Sequence, residues 1–122
     1  YHLTDMGNAQ RFIDRYSGNL RYHVERRRWV VWNGRGWRTD EREPVQRAKA
    51  TVRDMLNEAC ATLFSHPEHS SALAGHAFRC ESMARMNAMI KLSRSELRIT
   101  TGAILYDEMH PETRPVEKVS LG

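Results

Sequence analysis

"WVVWNGRGW", residues Trp29 to Trp37, holds all three tryptophans of the chain. The Asn33-Gly34 step is a strong hairpin signal, because both residues tolerate positive φ. On the way into it, Trp29 alternates with Val31 and Val30 with Trp32, the two-residue period of a strand. Leu20, Tyr22 and Val24 alternate upstream. The pattern predicts three short strands, at about 20–24, 28–33 and 36–39. A sheet this small needs an apolar face, and a tryptophan buries a large area. Trp29 and Trp32 lie three positions apart, so in a regular strand they face opposite sides. One can serve the core while the other is exposed.

The flanks read as helix. Over residues 4–16, Met6, Ala9, Phe12, Ile13 and Tyr16 recur at helical spacing, with Thr4 as N-cap and Ser17-Gly18-Asn19 as stop. Gly7 weakens the first turn, a sign of close packing there. Residues 44–64 open on Pro44 and carry one apolar face of Val45, Ala48, Val52, Met55, Leu56, Ala59 and Leu63, with Arg47, Lys49, Arg53, Asp54 and Glu58 mostly off it. Residues 69–94 are helical again. Leu73, Ala77, Cys80 and Ala84 line one stripe, continued by Met83, Met86, Met89 and Ile90, with a break at Glu81-Ser82. Leu97 to Thr100 form a short extended piece, and 107–122 read as linker. The expected fold class is α+β: an N-terminal helix, a small three-stranded antiparallel sheet built on the tryptophan hairpin, then a bundle of two to three helices. The module spans 1–97, and 98–122 is an extended tail or linker toward a following domain.

A chain of 122 residues suits one domain with its own core. It opens at Tyr1 without a methionine and reads as a segment of a longer protein. No apolar run is long enough to span a membrane. Cys60 and Cys80 form no tight motif, which suits a reducing, cytoplasmic setting. The formal net charge is +4. Nine arginines fall within residues 11–42, against Asp14, Glu25, Asp40 and Glu41. A basic patch with interleaved tryptophans fits nucleic acid: arginines hold phosphates and an exposed indole stacks on unpaired bases. The candidate contacts are Arg21, Arg26, Arg27, Arg28, Trp32, Arg35, Trp37 and Arg38. The competing reading makes the tryptophans a clasp between hairpin and helices and the arginines a solvated sheet edge.

Motifs for chemistry are missing. The sequence has no G-x-x-x-x-G-K-[ST], G-x-S-x-G or H-E-x-x-H, and no close Asp-x-Asp pair. Cys60, His66, His69, His76 and Cys80 supply one half of a zinc pattern, so no metal and no cofactor are expected.

"LTDMGNAQRF" (3–12), "LRYH" (20–23), "WVVWNGRGW" (29–37) and "CESMARMNAMIKLSRSE" (80–96) together resemble the poxvirus-type primase N-terminal domain. That domain precedes the superfamily-3 helicase in phage and plasmid primase–helicases. The resemblance covers about 3–97. It matches Thr4, Asp5, Gly7, Asn8 and Arg11 to the family's opening, and Trp29, Trp32, Asn33, Gly34 and Trp37 to its hairpin. Glu81, Ser82 and Arg85 match its third motif. Beyond 97 the family's N-G turn and D-L pair are lacking. The resemblance implies no catalytic role for these residues. It implies a non-catalytic module whose parent chain is an ATP-dependent DNA helicase/primase in a bacterial host, encoded by a phage or mobile element. The implied partners are DNA of either strand form, the adjacent primase and helicase domains, and a second copy of the chain. The alternative is a structural or oligomerisation module that packs against the helicase without touching DNA.

Overall fold

A computed structural model describes residues 1–113. The element order is α1 (Asp5–Tyr16), β1 (Leu20–His23), β2 (Arg28–Trp32), β3 (Trp37–Thr39), α2 (Glu43–Ala61), α3 (Pro67–Cys80), α4 (Met83–Arg94), β4 (Arg98–Ile99) and α5 (Thr101–Met109), ending in a 3-10 turn. Thr4 caps α1 by accepting from the Gly7 N–H at 3.1 Å. Ser82 caps α4 by accepting from the Arg85 N–H at 3.1 Å, which is the expected break between two helices. The fold is thus an N-terminal helix, a small sheet carrying the tryptophan strand, and several following helices.

The sheet has four strands, in the order β3-β2-β1-β4, where three were expected. β1, β2 and β3 are antiparallel, while β4 runs parallel to β1 and pairs Arg98 with Tyr22 and Ile99 with His23. A parallel neighbour needs a long crossover, which α2, α3 and α4 provide.

Register fixes the two faces. Tyr22 opposes Trp29, and Leu20 opposes Val31. Leu20 and Trp29 pack into a core with Phe12, Val52, Met55, Leu73 and Met89 from the helices. On the other face Val30, Trp32, Trp37 and Ile99 cluster with Ile104 of α5. The sheet is therefore covered on both sides.

This corrects the reading of 98–113 as an extended tail. Thr100 accepts from the Ala103 N–H at 3.2 Å and caps α5. The Glu25 carboxylate accepts from the Thr101 N–H at 2.9 Å, placing an anion at the positive end of that helix. The second apolar face of the sheet supplies the driving force, since indoles left in water would forfeit about 4–6 kcal/mol each by area. The rest of the expected tail lies outside the described residues.

Several stripe assignments also change. Met6, Leu63, Met83 and Ala84 are exposed, because each sits at a helix end beyond the packed turns. Arg47 is buried on the packed side of α2. It donates to the Tyr16 carbonyl and to Asn19 Oδ1, both at 2.8 Å, and to Glu43 at 3.0 Å. A buried guanidinium is tolerable when its donors are filled in this way.

Candidate nucleic-acid interface

All three tryptophans are buried: Trp29 is 3%, Trp32 1% and Trp37 6% exposed. Trp29 meets Tyr22 edge-on at 5.3 Å, and the Trp32 and Trp37 rings lie 5.6 Å apart. The Trp37 Nε1–H donates to Asp107 Oδ2 at 3.0 Å. Trp32 and Trp37 therefore offer no ring face on which a base could stack. The stacking role expected of them is replaced by packing under α5.

Asn33-Gly34 does close the hairpin, through a four-residue loop. Gly34 has φ 97°, and Asn33 Oδ1 accepts from the N–H groups of Arg35 and Gly36, both at 2.9 Å. An asparagine side chain that folds back on its own loop is a common way to fix such a turn.

The expected arginine patch is dispersed. Arg26 and Arg27 lie on the β1–β2 turn with Arg28 beside them, and all three are exposed. Arg35 is exposed on the far loop. The length of β2 separates Arg35 from Arg28 by well over about 13 Å. Arg38 lies 3.9 Å from Glu108, and Arg21 donates to the carbonyls of Ser17 and Leu20. Among the described residues, Arg26, Arg27, Arg28 and Arg35 form no ion pair. Arg27 also adopts φ 54°, the left-handed region that a side chain with a Cβ seldom occupies. Lys91, Arg94 and Arg98 are further cations outside the arginine-rich residues 11–42. Their signal is a basic pair three apart at the end of α4, with Arg98 just beyond.

The opening motif has a structural role. A Cβ on Gly7 would stand 1.8 Å from the His2 carbonyl oxygen, so the close packing expected there is present. Asp5 pairs with Arg85 at 3.0 Å and Arg11 with Glu58 at 2.7 Å. Asn8, fully buried, bridges His76 Nε2 at 2.8 Å and the Cys80 Sγ at 3.2 Å. These bonds tie α1 to α2, α3 and α4.

Cys80, His76 and Asn8 are the residue types of a thiol nucleophile with its base and orienter. Their geometry differs from that. The same imidazole nitrogen, Nε2, faces both Asn8 and, at 3.5 Å, Cys80, and the thiol is buried. Burial holds the His76 pKa below its usual range, with repulsion from Arg79 and Arg11 adding to it. Cys60, His66 and His69 are exposed and stand apart from this pair. Among the described residues no group of three or more His, Cys, Asp or Glu side chains could hold a metal.

A family model described as "D5 N terminal like" matches residues 9–113. The chain belongs to this family. No curated protein and no solved structure matches it. The match extends past residue 97 and takes in β4 and α5, the segment that buries Trp32 and Trp37. It begins after Thr4, Asp5, Gly7 and Asn8. In this D5 N-terminal-like domain the tryptophan hairpin is thus a core element, and no described helix is long and apolar enough to cross a membrane.

Proposed function

We propose that this D5 N-terminal-like domain is a non-catalytic accessory module of a phage or plasmid primase–helicase, and that it contributes DNA binding during replication. The observation that carries the reading is the triplet Arg26, Arg27 and Arg28. The three are exposed at one turn and form no ion pair among the described residues. Cations held in this way bind a phosphate backbone by releasing its counter-ions, without reading sequence. The module works beside the primase and ATP-driven helicase domains of its parent chain, in the cytoplasm of a bacterial host. The resemblance to that family supports this context.

Replacing Arg26, Arg27 and Arg28 by alanine tests the reading. Affinity for labelled DNA should fall roughly tenfold or more, and the dependence of log K on log salt should flatten by about 2. Unchanged affinity in a folded variant would remove the turn from the interface. A second reading, an assembly module that contacts the helicase and no DNA, draws on exposed apolar side chains at the helix ends. Phe64 is 95% and Phe78 65% exposed. That reading predicts no DNA binding even at low salt.

A further inference from the structure

A groove of about 320 Å³ runs between the last turn of α4 and β4, lined by Tyr22, Val24, Lys91, Arg94, Ser95 and Arg98. Its charged lining is entirely basic. A second groove, between α2 and α4, mixes Lys49 and Arg53 with Glu81. Among the described residues Lys91, Arg94 and Arg98 form no ion pair. The Arg94 guanidinium lies 4.5 Å over the Tyr22 ring, and its buried Nε has no hydrogen-bond partner. The end of α4 accounts for two of these charges, because cations suit a helix C-terminus. It does not account for Arg98, which stands on β4. Three like charges around one groove repel each other, and an anion seated among them removes the repulsion.

We infer that this groove holds a phosphate and sugar of a DNA backbone, as a continuation of the track that begins at the Arg26–Arg28 turn. Val24 lines the groove and is two residues from Arg26, so the two sites adjoin along the chain. Arg94 and Lys91 supply charge, and the Ser95 hydroxyl supplies a neutral donor. Val24 and the aliphatic stems of Lys91 and Arg98 give a sugar ring an apolar wall. One face of Tyr22 is occupied by Arg94, and Trp29 stands edge-on to the same ring at 68°. The groove thus grips backbone and leaves the base unread.

This inference rests on the proposed DNA-binding function, and one experiment separates the two. Labelled single-stranded DNA is titrated at two salt concentrations into the chain, its Lys91→Gln/Arg98→Gln variant and its Arg26→Ala/Arg27→Ala/Arg28→Ala variant. Lys91 and Arg98 are exposed and their charges repel, so thermal melting of the first variant should not fall. The groove variant should bind roughly tenfold more weakly, with a salt slope flatter by about 1.4. Wild-type affinity in the groove variant, with loss in the turn variant, overturns the groove and leaves the function standing. Loss in the groove variant alone supports the groove and removes the turn. No binding by the unaltered chain overturns both.

Discussion

The indole N–H of Trp37 donates to the carboxylate of Asp107 at 3.0 Å, joining the hairpin to α5 across 70 positions of sequence. This bond and the Ile104 contact explain why three tryptophans share nine residues. Trp29 serves the helical core, and Trp32 and Trp37 serve a second core on the opposite face of the sheet.

Tryptophan emission should therefore be blue-shifted and resist quenching by iodide. Ile104→Arg should lift α5, expose Trp32 and Trp37, shift emission to the red and destabilise the fold by about 2–4 kcal/mol. Emission from the unaltered chain that iodide quenches readily would contradict the packing described.

Asn8→Ala leaves His76 and Cys80 without their buried partner. Urea unfolding should show a loss of about 1–3 kcal/mol. Gly7→Ala forces the His2 backbone away and should be destabilising by about 1–3 kcal/mol, with greater proteolytic access at residues 1–3. Neutral outcomes for both would mean that the α1 junction is looser than its geometry indicates.

Stability should be greatest between two titration arms. His76 has a lowered pKa in the fold, so the unfolded chain takes up its proton first, and stability begins to fall as pH drops below about 6.5. Glu58 is lowered chiefly by its hydrogen bond from Arg11; its contribution is complete above 4.5 and is lost as pH falls through its folded value. On the alkaline side, burial and then the Asp54 hydrogen bond push Tyr16 up to about 12, so stability present below 10.0 is lost as pH rises through that interval. Urea midpoints across pH test this: His76→Gln should flatten the arm near pH 6, and Tyr16→Phe the alkaline arm.

Arg27 holds φ 54°. Arg27→Gly should relieve about 0.5–1 kcal/mol of backbone strain while weakening DNA binding. A variant that is both less stable and equally competent for DNA would argue against a charge placed there for binding.

The local elements were readable because each has a local cause. Thr4 caps α1, Ser82 interrupts the long helical run, and Asn33-Gly34 closes the hairpin. The opposite facing of Trp29 and Trp32 also follows from the strand period. α5 was not readable, because Ile104 is its one buried residue while Leu105, Tyr106 and Met109 face solvent, leaving no apolar stripe. Without α5 the outer face of the sheet looks open, which made Trp32 and Trp37 candidates for stacking. The arginines clustered in sequence but not in space, since β2 carries Arg28 and Arg35 to opposite ends. Arg47 reads as a residue off the packed face because its partners, Tyr16 and Asn19, come from another part of the chain.

The most direct test of the central claim follows DNA binding and tryptophan emission in the same titration. The chain is mixed with labelled single-stranded DNA at low and moderate salt; anisotropy reports binding, and the indoles report contact with bases. Arginines that grip backbone while the tryptophans stay in the core predict binding that weakens steeply with salt and leaves tryptophan emission unquenched. Quenching in step with binding, at an affinity indifferent to salt, would mean that bases stack on the hairpin and that its tryptophans are not the clasp described here.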